Sequence, residues 1–264
     1  MQMIGVIGTG FMGSSLATAI RTRHPELPIG IVEKDEARRT AALERLNATD
    51  YTGRPGALFS DADIVVVAIK PQDLDTLADA VGSRAGGTTL ISVLAGTTTG
   101  RIATAFPGAE VVRIMPNLAA EIGRAVIGIS FPPDMDEAAR RVIRELLSGA
   151  GSLVEVPEHL ISTVTGLSGS GIAFVFEFID ALAMGAVAEG LPYAKALPAA
   201  IDVVSSAAEV LTHQGVHPQE MVSRVCSPAG TTIAGIRALH EGGFRSAVMD
   251  AVERAADRSR ELES

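Results

Sequence analysis

The sequence lacks tryptophan altogether and has a single cysteine, Cys226, among its 264 residues. One cysteine excludes an internal disulfide framework and is typical of a protein kept in a reducing cytosol, so we expect a cytoplasmic location. Basic residues are also scarce: 22 Lys and Arg stand against 31 Asp and Glu, which leaves a net charge of −9. Nucleic acids and anionic membranes select a basic face, so neither is expected as a partner.

Long uninterrupted apolar runs are missing as well. The longest, residues 172–190, contains three carboxylates, which argues against a membrane span. The first residues reach a glycine at position 5 without a basic segment, a pattern of a first strand and not of a signal peptide. No group of histidine, cysteine and carboxylate residues has metal-ligand spacing, so no metal is expected.

Short apolar runs and helical patterns alternate through the first 156 residues. Most of the runs are nearly continuous in Val, Ile and Ala, which is typical of strands buried on both faces of a parallel sheet. The alternation predicts a doubly wound α/β domain over residues 1–156. The strands are predicted at 3–8, 29–33, 64–69, 89–94, 110–114 and 125–130, and helices at 13–22, 36–45, 72–80 and 136–149.

After Pro157 no strand pattern is found, and residues 157–264 are predicted to form an all-helical domain. Pro198 lies inside one of the helical patterns and predicts a kink or a later helix start. Small residues are abundant, and long helices in so short a domain cannot bury their apolar faces alone. We therefore expect this domain to pair with a second copy as a homodimer. The helices are predicted at 159–190, 193–213, 218–225, 230–240 and 244–262.

The stretch GTGFMG at 8–13 lies between the first predicted strand and the first predicted helix. Gly8 permits the tight turn, Gly10 lets the backbone approach a pyrophosphate, and Gly13 lets the helix lie close to the strand. The helix N-terminus adds free N–H groups for an anion. The stretch predicts a Rossmann-type cofactor site, with Phe11 and Met12 also contributing to it.

The acidic residue Glu33 follows Gly13 by 20 positions, at the end of the second predicted strand. A carboxylate there usually accepts hydrogen bonds from the adenosine ribose, which favours NAD(H). The basic residues Lys34, Arg38 and Arg39 come directly after it. They could hold the 2′-phosphate of NADP(H), or simply form a solvated helix face. Both NAD(H) and NADP(H) stay open as the cofactor.

The segment SPAGTTI at 227–233, followed by GGFR at 242–245, closely resembles the signature of pyrroline-5-carboxylate reductases. The resemblance covers essentially the whole chain in the expected order. It also includes IGVIGTGFMG (4–13), AIKPQ (68–72), ISVLAG (91–96), RIMPN (113–117), SGSG (168–171) and HP (217–218).

This resemblance implies a Rossmann-type domain followed by a helical dimerisation domain, in a dimer that such enzymes often assemble further into a ring. The implied reaction is hydride transfer from NAD(P)H to the C=N carbon of a small cyclic imino acid, which yields L-proline. The chemistry suits the signature loop. An imine nitrogen is basic enough to be protonated cheaply, so a hydroxyl can take the place of a histidine or lysine acid.

The resemblance also assigns the substrate residues. Thr232 is placed near the imine nitrogen, as hydrogen-bond donor or proton relay. Ala229, Gly230 and Thr231 would cradle the substrate carboxylate with backbone N–H groups at a helix N-terminus. A purely structural interpretation makes Thr231 and Thr232 N-caps of the following helix. The resemblance also implies a cleft between the two domains, and Asn117 is expected to face it.

Five further residues are assigned to the cofactor in the same way. Ala68, Lys70 and Pro71 would line it after the third strand, and Lys70 could reach a phosphate or stay solvated. Ala95 and Gly96 would lie near the nicotinamide.

The chain departs from the family pattern at four places. Leu118-Ala119 stand where Thr-Pro is usual, Ile172 replaces a proline, and Ala229 replaces a glycine. Pro55 stands where an asparagine near the ribose is common and, with Glu33, favours NAD(H). These changes keep two alternatives open: a reductase of another cyclic imine or small acid, and a non-catalytic dinucleotide-binding paralogue. No lysine lies between Lys70 and Lys195, which counts against a 3-hydroxyacid dehydrogenase.

Overall fold

The computed structural model describes residues 2–263, and these pack into two units. The first unit comprises residues 2–170 together with 253–263, and the second comprises Gly171–Val252. The domain boundary predicted between 156 and 157 rests on a different criterion, the change from strands to helices, and it stays a prediction.

The first unit contains an eight-stranded sheet in the order β3-β2-β1-β4-β5-β6-β7-β8. The pairing is parallel except between β6 and β7, so the expectation of a purely parallel sheet is wrong there. Only residues 116–124 join these two strands, and a parallel connection needs a dozen residues or more. The strands are β1 (Ile4–Ile7), β2 (Ile29–Val32), β3 (Thr49–Asp50), β4 (Ile64–Val67), β5 (Thr89–Ser92), β6 (Glu110–Met115), β7 (Ala125–Ser130) and β8 (Gly151–Glu155).

Seven helices accompany the sheet and cover both of its faces. Alternate strand residues point to opposite sides, and Val6 belongs to one buried cluster while Ile7 belongs to the other. The first cluster also holds Leu16 and Ile143, and the second holds Leu77. The doubly wound arrangement is thereby confirmed. The helices are α1 (Phe11–Arg23), α2 (Glu36–Leu46), α3 (Pro55–Asp61), α4 (Leu74–Val81), α5 (Thr99–Ala105), α6 (Glu137–Leu147) and α7 (Ile161–Val164), with short 3-10 turns at Pro71–Asp73, Gly82–Ala85, Leu118–Ile122 and Glu158–Leu160 and a π-helical turn at Thr165–Ser170.

The second unit is built from helices. They are α8 (Gly171–Ala188), α9 (Tyr193–Gln214), α10 (Pro218–Val225), α11 (Thr231–Glu241) and the first part of α12 (Phe244–Glu261). Among the described residues after Glu155 there is no strand, as predicted. Pro198 does not delay the start of α9, which begins at Tyr193. The proline lies in the second turn of the helix, and the predicted kink stays a prediction.

The second unit buries little of its apolar surface. Its buried cluster consists of Ala183, Ala196 and Ala200, and α8 buries Ala183 alone. The stretch Glu158–Ala188, which includes α8, is long and apolar enough to cross a membrane by length and composition. Such a stretch is weak evidence for a span, and the expectation that the chain does not cross a membrane stays a prediction.

Candidate nucleotide and substrate sites

The turn between β1 and α1 requires glycine at two positions and leaves space at a third. Gly8 has φ +86°, and a Cβ there would lie 2.5 Å from the Ala68 carbonyl oxygen. A Cβ on Gly13 would lie 2.0 Å from the Gly8 carbonyl oxygen. Among the residues that the structure describes, a Cβ on Gly10 would meet no atom within 4 Å, and no side chain caps the N-terminus of α1. The turn thus offers open space and free N–H groups, which fits the pyrophosphate of a dinucleotide.

Glu33 is buried at the end of β2, with 5% of its surface exposed. One carboxylate oxygen accepts hydrogen bonds from the Thr9 N–H (2.7 Å) and the Thr9 hydroxyl (3.0 Å). The other accepts from the Asp35 N–H (2.9 Å) and from Arg38 (3.1 Å). Burial raises the pKa of Glu33, but these hydrogen bonds outweigh it and hold that pKa below its ordinary value. Because a carboxylate has about four acceptor positions, this one is fully occupied within the chain.

A cavity of about 610 Å³ opens beside this turn in the first unit. Its volume lies in the range of small-molecule sites. Arg38 also lines it, as do Thr52 and Pro55. Lys34 extends along it with its Nζ atom 3.4 Å from Asp73. Six of the predicted cofactor residues line the cavity: Gly8, Gly10, Glu33, Lys34, Ala68 and Lys70.

Four other predicted cofactor residues lie around the turns that frame this cavity. Phe11 begins α1 and is half exposed, whereas Met12 packs against the sheet core. Gly13 is buried in the first turn of α1, and Pro71 begins the 3-10 turn that follows β4. Sequence reasoning did not single out Thr9, whose N–H and hydroxyl both bind the Glu33 carboxylate. Only its place inside the glycine motif could have pointed to it.

Ala95 and Gly96 lie in the loop between β5 and α5. Gly96 has φ +66°, and a Cβ there would lie 2.5 Å from the Leu262 carbonyl oxygen. Glycine at this position therefore allows close contact with the residues that follow α12.

Asn117 is buried at the end of β6, with 8% of its surface exposed. Its Nδ2 donates to the Ser168 carbonyl (3.2 Å), and its Oδ1 accepts from the Ala119 N–H (3.3 Å). The side chain thus links the RIMPN motif to the π-helical turn that contains most of the SGSG motif. This places Asn117 in a structural bridge, and its predicted contact with substrate stays a prediction.

The substrate residues of the signature belong to the second unit, where the chain enters α11. Ala229 has φ +57°, a left-handed conformation that favours glycine. Gly230 is the N-cap of α11 and makes no side-chain capping bond, and a Cβ there would lie 2.2 Å from the Ser227 hydroxyl. Thr231 and Thr232 are the first two residues of the helix, so neither is the N-cap.

The entrance to α11 therefore keeps its donors available. Among the described residues, nothing forms a hydrogen bond with the hydroxyl of Thr231 or of Thr232, and Thr232 is half-buried. Free N–H groups at a helix N-terminus and hydroxyls are donors of the kind that bind a small carboxylate. The predicted role of these residues in substrate binding stays a prediction.

No group of three or more His, Cys, Asp or Glu residues able to hold a metal ion occurs in the described part of the chain.

Comparison with known proteins matches both parts of the chain. Residues 158–262 match the family described as pyrroline-5-carboxylate reductase dimerisation, and residues 3–96 the family described as NADP oxidoreductase, coenzyme F420-dependent. A pyrroline-5-carboxylate reductase of Methanosarcina acetivorans is 38% identical over 271 residues, covering 99% of this chain and 98% of that protein.

Solved structures agree with this match. The 1-pyrroline-5-carboxylate reductase of Streptococcus pyogenes is 28% identical, with a TM-score of 0.85 and 98% of each chain covered. The pyrroline carboxylate reductase of Plasmodium falciparum, solved with NADP bound, is 22% identical and shares the fold, with a TM-score of 0.86 over 100% of this chain and 98% of that one. With 38% identity to a curated relative over almost its full length, this chain belongs to the pyrroline-5-carboxylate reductase family.

Proposed function

We propose that the protein reduces the C=N bond of L-pyrroline-5-carboxylate to L-proline with NAD(P)H, the last step of proline biosynthesis. The observation that carries this proposal is the entrance to α11, where two threonine hydroxyls and the first N–H groups of the helix have no partner in the described chain. The substrate is a small anion with a basic nitrogen, and such a molecule needs these donors.

Different residues of the signature loop would bind different parts of the substrate. The Gly230 N–H donates to the Ser227 carbonyl oxygen (3.0 Å), so the N–H groups of Thr231 and Thr232 would donate to the substrate carboxylate. The helix dipole favours the negative charge there. The Thr232 hydroxyl would donate a hydrogen bond at the imine nitrogen and hold a proton there. The bound nicotinamide cofactor supplies the hydride to the C=N carbon. Water would supply the proton that the nitrogen gains, relayed through the Thr232 hydroxyl, and the product is L-proline.

The cavity in the first unit favours NADPH over NADH. The Glu33 carboxylate has no free acceptor position for a ribose hydroxyl, although the acid at this position suggests NAD(H) from sequence. Lys34 and Arg38 line the cavity and keep 75% and 56% of their side-chain surface exposed. These two cations would receive the 2′-phosphate.

The proposal is tested by following NADPH and NADH oxidation optically, with and without L-pyrroline-5-carboxylate. We expect substrate-dependent oxidation, with a lower KM for NADPH than for NADH. Thr232→Ala should lower kcat/KM at least about tenfold, or about 1.4 kcal/mol of barrier. Thr232→Ser keeps the hydroxyl and should retain most of the rate. A folded wild-type protein that oxidises neither cofactor would refute the proposal and favour a different imine or a non-catalytic paralogue.

The proposal includes an assembly. The second unit has only three alanines in its buried cluster, while Phe176, Val203 and Met249 are 52%, 59% and 65% exposed on the single chain. A second copy of the chain would cover this apolar surface as a homodimer through the C-terminal helices. A ring of dimers and a cytoplasmic location belong to the same proposal. Light scattering and subcellular fractionation test them.

A further inference from the structure

Arg113 is a charged residue in the middle of the sheet. It lies on β6 in the apolar run EVVRIM, and none of its surface is exposed. Burying a guanidinium costs several kcal/mol unless it is paired and hydrogen-bonded. Its Nε atom has no hydrogen-bond partner among the described residues. A buried cation of this kind needs a reason beyond filling the core.

Two carboxylates approach the Arg113 guanidinium from different parts of the chain. Glu158, just before α7, lies 3.3 Å from one terminal nitrogen, and Glu263, just after α12, lies 2.5 Å from the other. We call these three side chains the Arg113 clasp. The carboxylates are 32% and 21% exposed, so water screens them only in part. One cation therefore joins two segments more than 100 residues apart.

Both carboxylates of the clasp are also tied to neighbouring groups. Glu158 accepts hydrogen bonds from the Thr99 N–H (2.6 Å) and the Thr99 hydroxyl (2.5 Å) at the start of α5. Glu263 accepts a hydrogen bond from the Ser162 hydroxyl (3.0 Å). Next to it, the Leu262 carbonyl oxygen packs so closely on Gly96 that a Cβ there would lie 2.5 Å from it.

These contacts hold both ends of the loop 95–99. Leu262 contacts the loop at Gly96, Glu158 holds it at Thr99, and Arg113 binds the carboxylates of both segments. The loop follows β5, whereas Glu33 and Lys34 follow β2, and β1 and β4 separate these two strands in the sheet. The clasp therefore acts on a loop that two strands of the sheet separate from Glu33 and Lys34.

We propose that the Arg113 clasp positions the loop 95–99 against the nicotinamide half of the cofactor. Arg113, Glu158 and Glu263 are then positioning residues for hydride transfer and do not touch the reacting atoms. The inference rests on the proposed function. A dinucleotide that crosses the carboxyl ends of the strands with its adenosine beside β2 has its nicotinamide on the side of β4 and β5. The inference does not rest on the identity of the imine.

The test compares binding of the whole cofactor, NADPH, with binding of its adenosine half, 2′,5′-ADP. NADPH and 2′,5′-ADP are titrated calorimetrically into wild type, Glu263→Gln and Glu158→Gln. We expect NADPH affinity to fall at least about tenfold in both variants, with 2′,5′-ADP affinity within about twofold of wild type. The kcat for imine reduction should fall more than the KM for the imine changes. Asp257→Asn is the matched control, since it removes an exposed ion pair with Arg260 on the same helix, outside the clasp, and should leave all values unchanged.

A second variant changes the loop side of the contact between Gly96 and Leu262. Gly96→Ala places a methyl group against the Leu262 carbonyl, so it should cause the same selective loss, and its effect should not add to that of Glu263→Gln. If Glu263→Gln fails to fold, Glu263→Asp, which keeps the negative charge, is titrated in its place.

Three results decide the matter. Equal losses for NADPH and 2′,5′-ADP would mean that the clasp only supports the fold, and unchanged affinities would mean that it does nothing for the cofactor. Either result overturns the inference. A wild type that binds NADPH but reduces no pyrroline-5-carboxylate refutes the proposed function alone, because the titrations still test the clasp.

Discussion

At the scale of single residues, Ala229 carries strain that the family glycine would not. Its φ of +57° costs about 1–2 kcal/mol for a residue with a Cβ. Glycine removes that cost but loses about 0.5–1 kcal/mol through its freer unfolded chain. We therefore predict that Ala229→Gly raises the free energy of unfolding by about 0.5–1 kcal/mol, measured by urea unfolding at fixed protein concentration.

The matched control for this prediction is the same substitution five residues later. Ala234 lies inside α11, where glycine should lower the free energy of unfolding by about 1 kcal/mol. If both variants lose stability alike, Ala229 is not strained in solution.

Glu33 makes stability depend on pH. Its pKa lies below the ordinary value of 4.5 because the hydrogen bonds to its carboxylate outweigh the effect of burial. The carboxylate therefore stabilises the folded state above pH 4.5, and this contribution is lost as pH falls through the lowered pKa. We predict that Glu33→Gln costs about 1–3 kcal/mol of unfolding free energy at pH 7. The difference from wild type should shrink below pH 4, as followed by urea unfolding across that range. A difference that does not change with pH would contradict this account.

At the scale of elements, two glycines of the turn from β1 to α1 have different roles. We expect Gly13 to serve stability and Gly10 to serve cofactor binding. A methyl group on Gly13 would collide with the Gly8 carbonyl oxygen, whereas one on Gly10 would enter open space. We predict that Gly13→Ala lowers the Tm of the cofactor-free protein by several degrees. Gly10→Ala should leave that Tm within about 2 °C and weaken NADPH binding at least about tenfold. Thermal unfolding and fluorescence titration check the pair, and equal behaviour of the two variants would refute the assignment of Gly10 to the pyrophosphate.

At the scale of the whole molecule, stability should depend on assembly. A charge at the exposed Val203 would be buried against a second copy, so Val203→Asp should yield monomers and lower the Tm. For wild type, the Tm should rise with protein concentration, because association stabilises the folded state by mass action. Light scattering and calorimetry measure both effects. Val142→Asp on α6 is the control, since it changes an exposed valine outside the second unit and should stay dimeric. A monomeric wild type would refute the proposed homodimer.

The local pattern of the sequence was enough for the long elements and for the glycine turn. Continuous Val and Ile runs located six strands, and helical periodicity located four of the C-terminal helices with small errors at their ends. The helix predicted at 159–190 is divided into a 3-10 turn, α7, a π-helical turn and α8. The short elements β3, α3 and α5 were not predicted, because two to seven residues cannot show a period. Strand β8 was not predicted because it is a half-exposed edge strand. For the site, the motif at 8–13 and the segment 227–233 were recognisable because each bundles several residues into one short stretch.

The sequence by itself therefore determined the fold class, the cofactor motif and the signature loop, all of which depend on residues close together in the chain. Tertiary structure decided what depends on distant partners. Residue types could not show the antiparallel pairing of β6 and β7 or the binding of Thr9 to the Glu33 carboxylate, 24 positions away. The Arg113 clasp joins positions 113, 158 and 263. No local pattern predicts such contacts, because they form only when the sheet and α12 pack together.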